Sequence, residues 1–259
     1  MKRAAVKIAY LGKDFCGSQY QPELRTVIGD VYYDLEVIEP GKDREWFNLK
    51  ASSRTDAGVN ALDNVVVFNT TFDDLTNLLK ALNGASKTIF YKSYAEVDDS
   101  FNPRFADERV YRYVIPSYGI DVDRARECSK LFEGEHDFAN FCKIYDKDTV
   151  VNMKSVEMEV ENGYIILTFR SMYFLWNMIR KISSAIISVG RGRHTCQDVI
   201  DALNGREINF GIGRPDALTL IDVIYNDVKF ITPERCPYEN RLREEKFKRM
   251  LENDFLSSL

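Results

Sequence analysis

Histidine is scarce in this chain of 259 residues, and cysteine is never clustered. The two histidines, His136 and His194, lie far apart, which disfavours a histidine-based metal site and any catalytic triad that needs histidine. The five cysteines are scattered and never spaced as CxxC. This usage indicates free or buried thiols in a reducing compartment, without a zinc ribbon or a disulfide framework. We therefore expect no metal site.

Long hydrophobic runs are absent as well. The longest candidate, Tyr173 to Val189, is interrupted by Asn177, Arg180 and Lys181, so it falls short of the roughly 20 apolar residues of a membrane span. The N-terminal MKRAAVKIAYLG lacks a long apolar core and a small-residue cleavage site, and it predicts a first strand instead of a signal peptide. We expect a cytoplasmic protein with no membrane partner.

An excess of positive charge is also missing, since the formal net charge is −5, which by itself argues against nucleic-acid binding. The distribution of charge modifies this argument. The segment from Asn162 to Gln197 has no acidic residue, and its basic residues are Arg170, Arg180, Lys181, Arg191 and Arg193. A local patch of this kind can bind phosphates. A basic face neutralised by acidic neighbours in the fold explains the pattern equally well.

The first hundred residues predict the element order βαββαβ. Apolar periodicity favours strands over residues 6–11, 48–53, 62–70 and 88–97, and helices over 26–38 and 73–84. Thr26 is the expected N-cap of the first helix. This order is that of the ferredoxin-like motif, an open antiparallel sheet with helices on one face.

The remainder of the chain repeats the order with one extra helix. Strands are predicted over residues 109–115, 151–160, 164–171 and 219–225, helices over 122–134, 173–189 and 198–203, and a helical turn over 137–142. Asn162 and Gly163 are expected to form a hairpin turn.

These patterns predict an α+β fold. Two ferredoxin-like (βαββαβ) halves would form one extended antiparallel sheet with an active-site cleft along their seam. The predicted units are residues 1–103, residues 104–232 and a charged helical tail over 233–259, which is expected to be solvated or to cap a subunit.

One carboxylate, Asp56, lies in the predicted loop ASSRTDAGVNA between two strands. Asp beside Gly commonly forms a simple turn, and the loop alone favours that interpretation. The predicted layout brings this loop to the seam, near Tyr111 and Arg180. Because an unpaired buried charge is costly, Arg180 among apolar residues needs an anion or a path to solvent, and Asp56 is a candidate partner. Taken alone, Arg180 fits snorkelling to the surface equally well, and Tyr111 fits a core aromatic better.

Six sequence motifs follow one another along the chain. They are YLGKDFCGSQYQ (10–21), SRTDAGVNA (53–61), FNPRFADERVYRYVI (101–115), GEHDFANFC (134–142), FLWNMIRKISSAIISVG (174–190) and RPDALTLIDVIY (214–225). Together they resemble the signatures of the tRNA pseudouridine synthase A (TruA) family, and the resemblance covers most of the chain.

The resemblance implies an isomerase that converts uridine to pseudouridine in the tRNA anticodon stem-loop, at about positions 38 to 40, where bent RNA is accessible. It also implies a homodimer with tRNA across both subunits, and no cofactor. Matched to the motifs, Asp56 would be the nucleophile and Arg180 its ion-pair partner. Tyr111 would stack on the uracil, with an acid or base role left open. Arg54 would help displace the target base, and Leu218 would pack against it.

Four positions depart from the family pattern. Ser53, Ser18, Asn60 and Ala217 stand where Gly, Trp, His and Gly are usual. The changes at the edges of the Asp56 loop, Ser53 and Asn60, leave the preferred tRNA position open. The residue types are compatible with attack of the carboxylate on C1′ and with attack on C6.

Two other function classes compete with the isomerase. A non-catalytic RNA-binding protein would use the same sheets, but RVYRYVI (109–115) does not match the aromatic pattern of recognition-motif domains. A small-molecule hydrolase with an aspartate nucleophile would need an oxyanion loop or a metal signature, and neither is apparent. The sequence therefore favours the isomerase.

Overall fold

A computed structural model describes residues 1–143, 148–235 and 237–258. Over these residues nine strands form one sheet, flanked by helices. The strands are β1 (Lys2–Tyr10), β2 (Lys50–Ala51), β3 (Asn60–Thr70), β4 (Phe90–Glu96), β5 (Glu108–Pro116), β6 (Gly134–Asp137), β7 (Val150–Glu161), β8 (Tyr164–Ser171) and β9 (Leu218–Ile224). The helices are α1 (Val27–Ile38), α2 (Arg44–Phe47), α3 (Leu75–Ala85), α4 (Val122–Lys130), α5 (Met178–Gly190), α6 (Cys196–Leu203) and α7 (Glu239–Ser257).

The strand order β4-β1-β3-β9-β5-β8-β7-β6, with β2 paired to β3, contains the ferredoxin-like arrangement twice. The first half reads β4-β1-β3-β2, and the second reads β9-β5-β8-β7 with β6 added at the outer edge. The prediction of two such halves in one sheet is confirmed. The division after residue 103 and the separate tail unit stay predictions.

The halves join where β3 lies beside β9. This junction is parallel and pairs Asn60 with Thr219 and Ala61 with Leu220, whereas pairing within each half is antiparallel. Two residue pairs are a short backbone connection for a seam. Side chains that cross it therefore contribute much of what holds the halves together.

Local signals in the sequence specify several boundaries correctly. Thr26 caps α1, since its side chain accepts a hydrogen bond from the Gly29 N–H at 3.2 Å. Asn162 and Gly163 both have positive φ, 51° and 79°, as a two-residue hairpin turn between β7 and β8 requires.

The predicted helix over 173–189 is wrong at its start, because α5 begins at Met178. Asn177 is left-handed with φ of 63°, which ends the preceding loop. The apolar residues before it therefore line a cleft instead of extending the helix. The predicted strand over 48–53 contains only the two residues of β2, since Asn48 is also left-handed, with φ of 45°.

Two short elements are not predicted correctly by the sequence patterns. Helix α2 has four residues, too few for helical periodicity, and the Asp43 side chain caps it by accepting from the Trp46 N–H. The helical turn predicted over 137–142 divides into the end of β6 and a 3-10 helix, Ala139–Phe141.

Within the described residues, no helix combines the length and apolarity needed to cross a bilayer. Cys16, Cys128, Cys142 and Cys196 are free thiols, and Cys236 lies outside the described residues.

Candidate active site

A cleft of about 1640 Å³ opens along the seam between the halves. The first half contributes the loop between β2 and β3, which carries Asp56. The second half contributes β5, the loop before α5, the first turns of α5 and the start of β9. The cleft thus exists only where both halves meet.

Neutral hydrogen bonds within the first half hold the Asp56 loop in place. The Ser18 N–H donates to the Thr55 carbonyl at 3.0 Å, and the Thr55 N–H donates to Ser18 Oγ at 2.8 Å. The hydroxyls of Tyr10 and Thr55 lie 2.8 Å apart. All three side chains are buried, so these bonds are shielded from water.

Gly12 also packs directly under this loop. A Cβ at this position would lie 2.3 Å from the Val59 carbonyl oxygen and 2.4 Å from the Gly58 carbonyl carbon. Because both neighbours are backbone atoms, only glycine allows this approach. The chain just after β1 and the Asp56 loop are therefore held at close range.

A buried arginine ties the loop to the second half. Arg109 on β5 donates from Nε to Ser53 Oγ at 3.0 Å, and from Nη2 to the Ser52 carbonyl at 3.1 Å and the Arg104 carbonyl at 2.9 Å. Nη1 donates to the Met172 carbonyl. Burial lowers the pKa of Arg109, and no ion pair among the described residues involves it. Oxygen dipoles therefore compensate its charge.

Asp56 itself meets two donors from the second half. Its Oδ2 lies 3.1 Å from Arg180 Nη1, and its Oδ1 accepts from Trp176 Nε1 at 2.8 Å. The Arg180 side chain is 15% exposed and that of Asp56 is 30% exposed. Arg180 therefore points at the carboxylate instead of snorkelling to the surface.

The Arg180 side chain is oriented by neighbours on both sides. Its Nε donates to the Gly213 carbonyl at 2.8 Å, and its Nη1 also approaches Asn177 Oδ1 at 3.3 Å. A Cβ at Gly213 would lie 2.2 Å from the Tyr113 hydroxyl oxygen, so the loop can reach Arg180 only with glycine there.

Aromatic and aliphatic side chains line the cleft beside the carboxylate. Tyr111 is buried on β5 and meets the Phe174 ring edge-on, with centroids 5.1 Å apart. Burial, followed by the nearby Tyr10, raises the pKa of Tyr111, so its phenol is neutral at physiological pH. Leu218 begins β9, is buried, and also lines the cleft.

Arg54 is exposed at the cleft and joins none of the ion pairs between described residues. All five residues singled out from the sequence, Asp56, Tyr111, Arg180, Arg54 and Leu218, therefore line a single cleft. Sequence reasoning missed the contacts of Trp176 and Arg109. Arg109 shares the buried face of β5 with Tyr111, which was a usable signal, while Trp176 was hidden in the predicted helix.

Comparison with known proteins adds an independent finding. A family model described as tRNA pseudouridine synthase matches residues 128–226. The tRNA pseudouridine synthase A of Pyrococcus abyssi is 35% identical over 257 residues, which covers 98% of this chain and 93% of that protein. That of Methanosarcina mazei is 37% identical over 232 residues, covering 87% and 85%.

The chain belongs to the tRNA pseudouridine synthase A family. It is accordingly an isomerase that acts on uridine in tRNA. A chain of the archaeal box H/ACA sRNP Nop10-Cbf5 complex overlaps 71% of this chain and 43% of its own length, at 14% identity and a TM-score of 0.33. That overlap is too slight to support any argument.

Three of the four departures from the family pattern have structural partners in this enzyme. Ser18 braces Thr55, and Ser53 accepts from Arg109. Asn60 accepts from the Gly12 N–H at 2.9 Å and donates to the Asp216 carbonyl at 3.0 Å. Nothing in the structure explains Ala217. The side chains at the first three positions thus take part in the hydrogen bonds around the loop that carries the carboxylate.

The basic segment over 162–197 does not act as one patch. Arg170 pairs with Glu108 at 2.8 Å, and the Lys181 amine donates to the Cys142 carbonyl at 2.9 Å. Arg191 and Arg193 are exposed at the end of α5. Neutralisation by neighbours therefore accounts for part of the segment, and two arginines stay at the surface.

Proposed function

We propose that Asp56 is the nucleophile with which this enzyme isomerises uridine in the tRNA anticodon stem-loop, at about positions 38 to 40. The observation that carries the proposal is the carboxylate at the seam, with Arg180 Nη1 3.1 Å from its Oδ2. A half-buried carboxylate with a dedicated guanidinium partner, in a large cleft, is suited to covalent catalysis.

The reaction exchanges one bond of the ribose for another. The carboxylate adds to C1′ or C6 and later leaves, the C1′–N1 bond breaks, and a C1′–C5 bond forms. The proton of C5 passes to water and N1 gains a proton, so atoms balance without a redox step or net hydrolysis. This chemistry requires no cofactor from the protein.

Arg180 would hold the carboxylate facing the sugar. Its Nε is committed to the Gly213 carbonyl, so the guanidinium has one main orientation. A fixed charge next to a reacting carboxylate needs no reorganisation when the reaction starts, which is the usual source of electrostatic catalysis.

Tyr111 and Leu218 would enclose the detached uracil while it turns. Tyr111 offers a ring face for stacking, and Leu218 offers an apolar surface on the neighbouring strand. The raised pKa of Tyr111 favours stacking and hydrogen-bond donation over proton abstraction at neutral pH.

Arg54 would act at the mouth of the cleft. Its exposed side chain is available to contact RNA as the target base leaves its stack, a step that costs a few kcal/mol. A guanidinium can offset part of this cost through phosphate contacts or through stacking on a neighbouring base.

The proposal includes a cytoplasmic homodimer with one tRNA anticodon stem-loop across both subunits. The resemblance to the family supports this arrangement. Analytical ultracentrifugation with and without tRNA tests it, and a monomer under both conditions would contradict it.

Mapping pseudouridine after incubation with unmodified tRNA tests the function and the target together. We expect pseudouridine at one or more of about positions 38 to 40 with the native enzyme, and none with Asp56→Asn. Pseudouridine elsewhere would refute the target assignment alone. Pseudouridine made by Asp56→Asn would refute the role of Asp56.

A further inference from the structure

Asp56 has a second donor besides Arg180. Trp176 Nε1 lies 2.8 Å from Oδ1, while Arg180 Nη1 lies 3.1 Å from Oδ2. The two carboxylate oxygens are thus held by two side chains from the same half. We propose that Trp176 is a positioning residue, whose indole N–H sets the rotation of the Asp56 carboxylate about its Cβ–Cγ bond. This inference rests on the proposed role of Asp56.

The ion pair alone leaves that rotation weakly determined. Arg180 uses Nε for the Gly213 carbonyl and Nη1 for Asp56, so a single nitrogen carries the contact, without the two-nitrogen fork that fixes a carboxylate plane. The terminal torsion of aspartate is intrinsically broad. A donor on the other oxygen supplies the missing constraint, and Trp176 is that donor.

The indole is itself held in place from two directions. The Lys143 N–H donates to the Trp176 carbonyl at 2.9 Å, and Lys143 Nζ lies 4.3 Å from the centre of the Trp176 ring. The next residue, Asn177, is left-handed and turns the chain into α5. These contacts hold the Trp176 backbone and one face of its ring beside Asp56.

A different role for Trp176 predicts different results. Trp176 is 46% exposed and lines the cleft, so its ring is accessible for stacking on a nucleotide. Stacking depends on the aromatic face, whereas positioning depends on the N–H. Trp176→Phe keeps an aromatic ring and removes the N–H, so it separates the two roles.

Single-turnover tritium release from tRNA labelled at uracil C5 is the activity readout. For Trp176→Phe we expect a rate about tenfold or more below the native rate, the usual effect of losing a hydrogen bond to a charged group. The tRNA concentration for half-maximal rate should stay within about twofold. A native rate in Trp176→Phe, with weaker tRNA binding only in Trp176→Ala, would assign stacking and overturn the proposal.

The chain offers a matched control, since its other tryptophan is Trp46. Trp46 lies on α2, with Lys42 Nζ 4.6 Å from its ring centre, and it does not line the cleft. Trp46→Phe makes the same chemical change there, and we expect native activity. It also leaves Trp176 as the sole tryptophan of the protein.

Fluorescence of this single-tryptophan protein tests the contact without relying on catalysis. We expect Asp56→Ala in the Trp46→Phe background to change the Trp176 emission in the absence of tRNA. Unchanged emission would overturn the contact.

If Asp56→Asn stayed active while the emission changed, the proposed role of Asp56 would fail and the contact would stand. An inactive Asp56→Asn beside a fully active Trp176→Phe would reject the positioning role alone.

Discussion

The two halves share one strand order but contribute different chemistry to the cleft. The first half supplies the anion, Asp56, on a loop that neutral hydrogen bonds from Tyr10 and Ser18 hold in place. The second half supplies the charged partner, Arg180, and the aromatic wall that includes Tyr111. Residues of both halves line the cleft, so Asp56 and Arg180 come together only when the sheet is continuous.

The seam shows why side chains matter more here than the backbone. Only two residue pairs connect β3 to β9 within the described residues. Lys7 Nζ in the first half pairs across this seam with Asp222 Oδ1 in the second, at 2.5 Å. Arg109 in the second half donates a hydrogen bond to Ser53 in the first. Perturbing the charges of the second half should therefore affect activity most, and perturbing the neutral braces of the first half should affect it least.

Replacing Arg180 by Gln should produce the largest effect. The variant removes the charge beside Asp56, and we expect the single-turnover rate to fall roughly 10²-fold to 10³-fold, with little change in tRNA binding. Arg180→Lys should not restore the rate, because a lysine cannot reach both Gly213 and Asp56 in the same geometry. Arg126→Gln, at an exposed site on α4, is the control. A rate within threefold of native in Arg180→Gln would show that the charge beside Asp56 does not dominate the activity.

Replacing Arg109 by Met tests the hydrogen bonds with which this side chain joins the two halves. The buried oxygens of Ser52, Ser53 and Arg104 would lose their donor, so we expect a loss of about 3 kcal/mol in the free energy of unfolding. Urea denaturation measures it. An unchanged midpoint would show that the seam does not depend on this side chain.

The outer side of the first half should respond to pH and leave the cleft unaffected. Asp34 on α1 accepts from the Tyr91 hydroxyl at 2.8 Å, and burial raises the pKa of Asp34 from 3.8 to about 6. The folded state therefore holds this proton more tightly than the unfolded state. Its contribution to stability is complete below about pH 4 and is lost as the pH rises through about 6, a change on the order of 3 kcal/mol.

Asp34→Asn removes this titration and isolates its contribution. The difference in unfolding free energy between native and variant proteins should shift in favour of the variant between pH 4 and pH 7, while tritium release is unchanged. A difference that stays constant with pH would mean that Asp34 titrates normally.

Replacing Ser18 by Ala should have the smallest effect. The buried Thr55 N–H would lose its acceptor, at a cost of about 1 kcal/mol in unfolding free energy. We expect only a few-fold loss of rate, because Tyr10 still holds the Thr55 hydroxyl. A loss as large as that of Arg180→Gln would show that the neutral brace, not the charge, limits catalysis.

The duplicated fold was predictable because its signals are local. Apolar periodicity, the Thr26 cap and the Asn162-Gly163 turn each act through neighbouring residues. The meeting of Arg180 with Asp56 could be inferred because a guanidinium among apolar residues needs an anion.

The missed contacts depend on information that the sequence does not carry locally. The apolar pattern runs through Trp176 into α5, and only the left-handed Asn177 separates loop from helix. The oxygens that compensate Arg109 include three backbone carbonyls, which every residue possesses and which therefore leave no pattern.

Single-turnover tritium release by Asp56→Asn tests the central claim most directly. The substrate is tRNA labelled at uracil C5, with enzyme in excess and tRNA binding measured in parallel. The account predicts release by the native enzyme, and no release by Asp56→Asn despite native-like tRNA binding. Release by Asp56→Asn at the native rate would contradict it, because the carboxylate at the seam would then not be the reacting group.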